Sequence, residues 1–384
     1  MALSIYDRRE RALVTLADAL LWPAALRRTL RPPPAERPRR ILCFRLERMG
    51  DLLMTVPALA ELRALAPDAA IDLVVGSWNR QIAAAIPGIT SCETLDAAWL
   101  ARDGGGVSPL SLITHAAGFR QRRYDLAINF EPDIRTNLAL AACGAKRTAG
   151  FRSGGGGPLL DLALDYDARL HTADNAVTLV RTALGAAAGR IEATLMIPDA
   201  AQRDAARLLA PLGAGPKIGM HVSGGREVKQ WPEERFRTIA ERLVRDRAAG
   251  IVLTGAPGDR MQIDVVRAGV PPECVVDVSG ADLITVAAVL QRLDLFVTGD
   301  TGPMHLAHAV GTPIVAVFGP SDPARYAPRG MRDVVVRIDL PCSPCNRIRL
   351  PPARCTGHTP DCLAGIGPAQ VLAAIDDVLR DRPR

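Results

Sequence analysis

The chain has 384 residues, a length that at roughly 100 to 200 residues per domain predicts two domains. Hydrophobic residues make up 48% and charged residues 23%, which is typical of a soluble globular protein and excludes collagen, coiled coil and wholesale disorder. The net charge is only +6 and aromatic residues make up 4%, without a basic stripe interleaved with stacking side chains, so we expect no nucleic-acid partner.

The first predicted element, within residues 1–38, is an amphipathic basic helix followed by a Pro-rich connector. Residues 1–40 hold nine arginines against four acidic residues and so carry most of the net charge. Pro23 is expected to kink or break the helix. Two interpretations stay open, a surface helix that contacts anionic lipid and a helix packed on its own domain. Apolar residues recur at helical spacing at Leu13, Leu16, Ala17, Leu20 and Leu21.

The sequence contains no candidate membrane span, which needs a run of about 18 apolar residues. Asp7 and Glu10 interrupt the region where a secretory signal needs basic and then apolar residues. We therefore expect a cytoplasmic protein, peripheral on the inner face of the cytoplasmic membrane.

From residue 39 onward, short β-branched runs alternate with longer helical patterns, which indicates parallel sheets covered by helices. The rhythm breaks near residues 188–216, so we predict an N-terminal Rossmann-like domain at 39–195 and a C-terminal Rossmann-like domain at 196–384, the latter with a Cys-rich loop and a terminal helix. Strands are predicted at 41–46, 71–75, 125–130, 217–222, 251–254, 274–278, 295–298 and 314–318. Helices are predicted at 52–66, 136–142, 174–184 and 233–247.

The predicted fold class is therefore α/β, with two doubly wound domains facing a central cleft and an extra N-terminal helix. Open parallel sheets bind ligands beyond the carboxyl ends of their strands, so each domain would contribute half of a site. The glycine-rich stretches at 104–106 and 154–157 are predicted to be mobile loops.

The first candidate segment, Arg45-Leu46-Glu47-Arg48-Met49-Gly50-Asp51, joins a predicted strand to a helix. Gly50 permits a tight turn, and Asp51 is expected at or near the helix N-cap with its carboxylate directed towards the cleft. A plain capping role for Asp51 stays open. The dinucleotide fingerprint Gly-x-Gly-x-x-Gly is missing here, which counts against a nicotinamide enzyme.

The second segment, residues 221–232, is a glycine loop between a strand and a helix. Its Gly224 and Gly225 let backbone amides approach a ligand, and Lys229 is one of only three lysines in the chain. Arg226 and Lys229 could neutralise a diphosphate without a metal, although a loop of solvated charges is the alternative. The candidate diphosphate-binding residues here are Ser223, Gly224, Arg226 and Lys229.

The third segment, residues 298–307, again runs from a strand through a glycine turn into a helix. Thr301 can cap that helix, and Gly302 exposes its first amides, a combination that attracts anions. His305, one turn into the helix, could donate to a phosphate oxygen or could simply be packed. The turn at 319–323 is expected beside the same cleft.

Taken in this order, the three segments resemble glycosyltransferase family 9, the ADP-heptose:lipopolysaccharide heptosyltransferases, from about residue 39 to the C-terminus. The resemblance rests on Gly50-Asp51 with Thr55-Val56-Pro57-Ala58-Leu59, on Lys229-Gln230-Trp231-Pro232, and on Asp300-Thr301-Gly302-Pro303-Met304-His305-Leu306-Ala307 with Phe318-Gly319-Pro320-Ser321-Asp322-Pro323.

This resemblance implies a GT-B fold and an inverting, metal-independent transfer of heptose from ADP-heptose to a lipopolysaccharide-type lipid-linked acceptor. It also implies that 39–195 is the acceptor-side domain, with Asp51 as the general base. The domain at 196–384 would be the nucleotide-sugar-binding one, with Lys229 as the diphosphate contact. The implied donor-binding turn consists of Asp300, Thr301, Gly302 and His305. Glu47-Arg48 replaces the small Ser pair often found before Gly-Asp in this family, which leaves the sugar and the acceptor open.

Two other function classes stay open from the sequence, a noncatalytic nucleotide-sugar-binding module and a GT-B type sugar-nucleotide epimerase. A carboxylate of Asp51 that faces the cleft would favour catalysis, whereas a buried cap would favour binding alone. An epimerase would need further acid and base groups, and the sequence places none clearly.

The last candidate is a structural metal site in the Cys-rich loop. Thiolates at such spacing can hold zinc or an iron–sulfur cluster, with His358 as a spare ligand, but free or adventitiously paired thiols are the alternative. The proposed chemistry itself needs no cofactor. The candidate ligands are Cys342, Cys345, Cys355 and Cys362.

Overall fold

The computed structural model describes residues 3, 5, 7–29, 37–101, 105–186 and 193–380. The chain divides into two compact units, Met1–Ala193 and Thr194–Arg384. Each unit is built on one six-stranded sheet in which every strand pair is parallel. The α/β fold class expected from the alternating pattern is confirmed.

The sheet of the first unit has the strand order β3-β2-β1-β4-β5-β6. Its central strands are almost completely buried because helices cover both faces, which explains their continuous apolar runs. The strands are β1 (Arg40–Arg45), β2 (Ala70–Val75), β3 (Ser91–Thr94), β4 (Leu126–Asn129), β5 (Arg147–Phe151) and β6 (Leu162–Leu164). The helices are α1 (Arg8–Thr29), α2 (Met49–Leu65), α3 (Arg80–Ala84), α4 (Pro109–Gly118), α5 (Ile134–Ala142) and α6 (Thr172–Leu184).

The sheet of the second unit repeats this plan with the order β12-β11-β10-β7-β8-β9. The strands are β7 (Lys217–His221), β8 (Gly250–Thr254), β9 (Val275–Asp277), β10 (Leu295–Gly299), β11 (Ile314–Val317) and β12 (Val334–Val336). The helices are α7 (Asp199–Leu209), α8 (Glu233–Arg247), α9 (Arg260–Arg267), α10 (Leu283–Gln291), α11 (Gly302–Ala309), α12 (Pro323–Tyr326), α13 (Asp361–Ala364) and α14 (Pro368–Arg380).

In both sheets the chain reverses its direction of winding between two central neighbours, β1 and β4 in the first unit and β7 and β10 in the second. Ligands of doubly wound folds bind at the carboxyl ends of the strands at such a reversal. The three candidate segments follow β1, β7 and β10, so each begins at this position in its own unit.

The N-terminal helix α1 packs on the first unit through one face. Val14 is buried, and the Asp18 carboxylate accepts a hydrogen bond from the Gly156 amide at 2.6 Å. The helix continues through Pro23 to Thr29, so it does not break at this residue, and the alternative of a kink at Pro23 stays a prediction.

The glycine run at 154–157 was predicted to be a mobile loop, and this is wrong as well. It is a close-packed turn, in which Gly155 has φ +92° and a Cβ placed there would lie 2.2 Å from Cγ1 of Val14. The glycines permit a tight approach between this turn and α1. The other predicted glycine loop, at 104–106, lies partly outside the described residues.

No helix in the described part of the chain is both long enough and apolar enough to cross a membrane. The inner strand β5 was not predicted, although it is mostly buried. The edge strands β3, β6 and β12 were also missed, because they are three or four residues long and only partly buried. Such strands lack the apolar run that marks a central parallel strand.

Candidate active site

Helix α2 begins at Met49, three residues earlier than predicted, so Asp51 lies within its first turn. Arg48 occupies the N-cap position and Gly50 is part of the helix, so the expected tight turn at Gly50 is wrong. Asp51 lies near the N-cap, as predicted, but its side chain does not cap the helix. The Asp51 side chain is 31% exposed. A carboxylate that is neither a cap nor buried remains accessible to a ligand at the carboxyl edge of the sheet.

Arg45, the last residue of β1, holds Asp51 in place although its own side chain is only 3% exposed. Its Nη2 lies 3.6 Å from Asp51 Oδ1, and its Nη1 lies 2.9 Å from Glu47 Oε2. The guanidinium also donates to the backbone oxygens of Asp51 and Phe130. Arg45 therefore fixes the side chain and the backbone of Asp51 together, a contact that the sequence did not indicate.

Glu131, just after β4, holds the same loop from the other side and was also missed. Its buried Oε1 accepts hydrogen bonds from the amides of Leu46 and Glu47, the latter at 2.9 Å. Burial and the nearby Glu47 carboxylate raise the pKa of Glu131 well above its ordinary value, against the opposing effect of Arg45. An acidic residue directly after a buried strand was the signal that could have found it.

The loop after β2 completes this arrangement. Trp78 Nε1 and Asn79 Nδ2 both donate to the Glu47 carbonyl, at 3.0 and 2.8 Å. The Arg48 guanidinium lies 5.9 Å from the centre of the Trp78 ring, within cation–π distance. Residues 45–51 are thus fixed by the ends of three strands, and Glu47-Arg48, the departure from the family pattern, is part of that framework.

In the second unit, the loop after β7 starts with a buried hydrogen-bonded pair. His221 Nδ1 lies 3.1 Å from the Thr254 hydroxyl, and its Nε2 lies 3.3 Å from the Ser223 hydroxyl. Burial lowers the pKa of His221 to about 4, so the imidazole is neutral at pH 7. Ser223, predicted as a phosphate ligand, is oriented by this histidine.

In the rest of the loop, Gly224 is held by a hydrogen bond and Arg226 is exposed to solvent. The Gly224 carbonyl accepts a hydrogen bond from Gln230 Nε2 at 2.8 Å, which fixes the turn, whereas Arg226 is exposed. The turn Glu227–Lys229 then carries Lys229 back towards the end of β10.

Lys229 and Asp300, predicted from two segments 71 positions apart in sequence, are in direct contact. Lys229 Nζ lies 2.7 Å from Asp300 Oδ2, and the Ser321 hydroxyl donates to the same oxygen at 2.5 Å. Burial raises the pKa of Asp300, but Lys229 and Ser321 outweigh it and hold the pKa of this carboxyl below its usual value. The sequence did not predict Ser321 as a site residue, although it lies in the turn 319–323.

Thr301 occupies the N-cap position of α11, but its side chain does not cap the helix. Its hydroxyl instead lies 3.0 Å from the hydroxyl of Thr298, so the predicted capping bond is wrong. Gly302 is the first residue of α11, and the amides of that turn keep the partial positive charge that attracts an anion. His305 is buried one turn further on and adds to the lowering of the Asp300 pKa.

The Cys-rich loop contacts the turn at 319–323, which contributes Ser321 to the cluster with Lys229 and Asp300. The amides of Cys345 and Asn346 donate to the Pro320 carbonyl at 3.1 and 2.8 Å, and the Ser343 hydroxyl donates to the Gly319 carbonyl at 2.7 Å. The loop therefore braces the turn that presents Ser321 to Asp300.

A metal in this loop stays a prediction. Cys342 is exposed, whereas Cys362 is buried, and burial with three neighbouring thiols raises the pKa of Cys362 to about 11. Among the residues that the structure describes, no three His, Cys, Asp or Glu side chains are arranged to hold a metal ion.

Comparison with known proteins assigns this chain to a protein family. The model of glycosyltransferase family 9 (heptosyltransferase) matches residues 113–351, more than half of the chain. The match includes Lys229, Asp300 and Ser321 and does not extend to Asp51.

Individual proteins of known sequence or structure are similar to this chain over most of its length. Lipopolysaccharide heptosyltransferase 2 of Escherichia coli K12 is 24% identical over 76% of this chain and 85% of its own length. The solved structure of E. coli ADP-heptose lps heptosyltransferase II superposes with a TM-score of 0.72 at 21% identity, over 89% and 98% of the two chains. A glycosyl transferase family 9 structure from Veillonella parvula gives a TM-score of 0.76 at 25% identity, over 90% and 98%. The two-domain fold is thus of the GT-B type.

Proposed function

The chain belongs to glycosyltransferase family 9, and from this premise we propose that it transfers heptose from ADP-heptose, with inversion and without a metal, to a lipopolysaccharide-type lipid-linked acceptor. Membership of the family makes the chain a glycosyltransferase and argues against the binding-module and epimerase alternatives. The observation that carries the proposal is the Lys229–Asp300–Ser321 cluster beside the N-terminus of α11.

This cluster suits a diphosphate leaving group. Asp300 holds the Lys229 ammonium in one position, and an ammonium has three donors, so it can contact Asp300 and a phosphate oxygen at once. The first amides of α11 add a second source of positive charge. Charge that develops on the diphosphate as the glycosidic bond breaks is therefore neutralised by the protein itself.

Asp51 acts on the acceptor as the general base of the reaction. Its carboxylate takes the proton from the acceptor hydroxyl while that oxygen attacks the anomeric carbon and ADP leaves, which inverts the configuration. Arg45 is a positioning residue here, because it orients the carboxylate and does not itself receive the proton.

The names of the relatives support the substrates of this proposal. The E. coli K12 relative that is 24% identical is named a lipopolysaccharide heptosyltransferase. The similar E. coli structure is named an ADP-heptose lps heptosyltransferase. An acceptor of this kind is anchored in lipid, so we place the reaction at the cytoplasmic face of the membrane.

The donor is tested by a thermal-shift panel of ADP-heptose, GDP-mannose and UDP-glucose with the full chain. A ligand that binds the native state raises the unfolding midpoint by mass action, and we expect only ADP-heptose to do so. A response to another nucleotide sugar alone would contradict the proposed donor.

The diphosphate contact is tested by Lys229→Ala, with Lys217→Ala as the matched control. Lys217 begins β7, at the opposite end of that strand from the site, so its loss should leave donor affinity unchanged. Lys229→Ala should weaken ADP-heptose binding and slow transfer more strongly, because the charge acts on the leaving group. Equal donor affinities and transfer rates for the two variants would contradict a role of Lys229 in the site.

The metal-independent mechanism has a separate test. Loss of transfer activity after metals are chelated would contradict it.

A further inference from the structure

The outward side of α1 exposes large apolar side chains. Leu13, Leu16 and Leu20 are 69%, 60% and 74% exposed although they belong to a helix that packs on the first unit. Apolar side chains grouped on one exposed side of a helix indicate an interaction surface.

These leucines form a row with Arg9, at spacings of four, three and four residues, and we name the four residues the α1 stripe. At about 100° per residue, the row occupies one side of the helix. Val14 and Asp18 lie on the opposite side, where they contact the glycine turn. The stripe is therefore not the face that attaches α1 to its domain.

Charge is also divided between the two sides of the helix. Asp7, Glu10 and Asp18 all fall within about 40° of Val14, on the attached side. Arg9 belongs to the stripe, and Arg8 lies beside it along an open groove that also includes Arg11, Ala12, Thr15, Leu16 and Ala19. The α1 stripe itself thus combines three leucines with Arg9 and contains no carboxylate, and Arg8 lies across the groove from it.

We propose that the α1 stripe binds the surface of an anionic lipid bilayer, with α1 lying in the plane of the headgroups. Leucines would enter the boundary between headgroups and acyl chains, while arginines would contact lipid phosphates. This deepens the proposed function, because a lipid-linked acceptor is presented at such a surface, but its test needs no transferase activity.

The charge pattern favours lipid over a second copy of this chain. The stripe of a second copy would offer leucines and Arg9 but no carboxylate to pair with the arginines, and like charges across an interface oppose association. An anionic bilayer offers the complementary charge together with an apolar layer.

The test measures co-sedimentation of the full chain with vesicles of phosphatidylethanolamine and phosphatidylglycerol, against pure phosphatidylcholine, at low and high salt. The apolar variant is Leu13→Ser/Leu16→Ser/Leu20→Ser, and its control is Leu110→Ser, since Leu110 on α4 is 74% exposed. The charge variant is Arg8→Gln/Arg9→Gln, and its control is Arg203→Gln/Arg267→Gln, which removes two exposed arginines from the second unit.

We expect the wild type to bind the anionic vesicles and to lose affinity as salt rises. The triple serine variant should bind at least about tenfold more weakly, and the double glutamine variant about tenfold more weakly with a smaller salt dependence. Both controls should bind like the wild type. All variants should stay folded, because the substituted side chains are exposed, and only the triple serine variant should melt slightly earlier, since serine is a weaker helix former than leucine.

Binding by the triple serine variant equal to wild type, or no binding by the wild type, would overturn the proposal. So would a dimer in lipid-free solution that the triple serine variant abolishes, because the stripe would then be an interface between copies. Vesicle binding with no transfer to any heptose acceptor would instead contradict the proposed function and leave this inference standing.

Discussion

At the scale of single residues, the arrangement around Asp51 separates the reacting group from the groups that position it. Asp51 is partly exposed, whereas Arg45 and Glu131 are buried and bind the backbone on which Asp51 stands. Removal of the reacting carboxylate and alteration of its support should therefore give different results.

Asp51→Asn should lower the turnover number at least about a hundredfold, because a general base contributes 10²- to 10⁴-fold. Affinity for ADP-heptose should stay near wild type, since the base acts on the acceptor. Steady-state kinetics and donor titration check this, with Asp68→Asn as a control, because Asp68 is an exposed carboxylate beyond the other end of α2. Turnover within about tenfold of wild type would contradict the assignment of Asp51.

Glu131 predicts a pH dependence of stability. Its pKa is raised in the folded state by burial and Glu47, so the folded protein favours the protonated form. Its contribution to stability is complete below the ordinary glutamate pKa and is lost as the pH rises through the raised folded value.

Glu131→Gln should reduce this loss, because glutamine stays neutral and its amide oxygen can still accept from Leu46 and Glu47. Denaturant unfolding from pH 5 to pH 9 measures the effect, with the exposed Glu227→Gln as the reference. An identical fall in unfolding free energy for Glu131→Gln and wild type would show that Glu131 does not titrate in this range.

At the scale of elements, helix α1 packs against the turn at 154–157. The helix approaches so closely that position 155 has no room for a side chain, and φ there is +92°. The stability of this attachment can be changed without touching the α1 stripe.

Gly155→Ala should destabilise the first unit by about 1 to 3 kcal/mol, through overpacking against Val14 and the unfavourable φ. Gly185→Ala is the matched control, since Gly185 also has a positive φ but open space where a Cβ would lie. Thermal unfolding and the rate of trypsin cleavage at Arg8, Arg9 and Arg11 measure the effect. Equal losses for the two alanine variants would mean that backbone strain, and not the contact with α1, explains the change.

At the scale of the whole molecule, the two units divide the proposed reaction between them. The candidate base and its support belong to the first unit, and the Lys229–Asp300–Ser321 cluster belongs to the second. Each set is assembled by contacts within its own unit.

ADP-heptose should therefore slow amide hydrogen exchange mainly in the second unit. We expect protection of at least about fivefold in residues 221–230 and 298–305, and less than about twofold in residues 45–51, because bound ligand suppresses local opening where it makes contacts. Lys229→Ala should remove most of this protection, whereas Asp51→Asn should keep it. Protection confined to residues 45–51 would reverse the assignment of donor and acceptor sides.

The sequence by itself determined the fold class, the inner strands other than β5, and the segments that carry the site. Buried parallel strands are continuous apolar runs, and glycine turns between strand and helix recur at ligand sites, so both are local patterns. Lys229 stands out in this way in its glycine loop, whereas Asp300 was predicted as a site residue only through the resemblance to glycosyltransferase family 9.

Only the tertiary structure decided which groups meet. Local rules placed Thr301 as a helix cap and left a capping role open for Asp51, but Thr298 binds the Thr301 hydroxyl and Arg45 binds Asp51. They also made residues 154–157 a mobile loop, although α1 packs against them. The physical reason is that the ion pair of Lys229 with Asp300, the support from Glu131 and the packing of α1 join residues 71 to 138 positions apart, and the energies of such contacts depend on distances that no local pattern encodes.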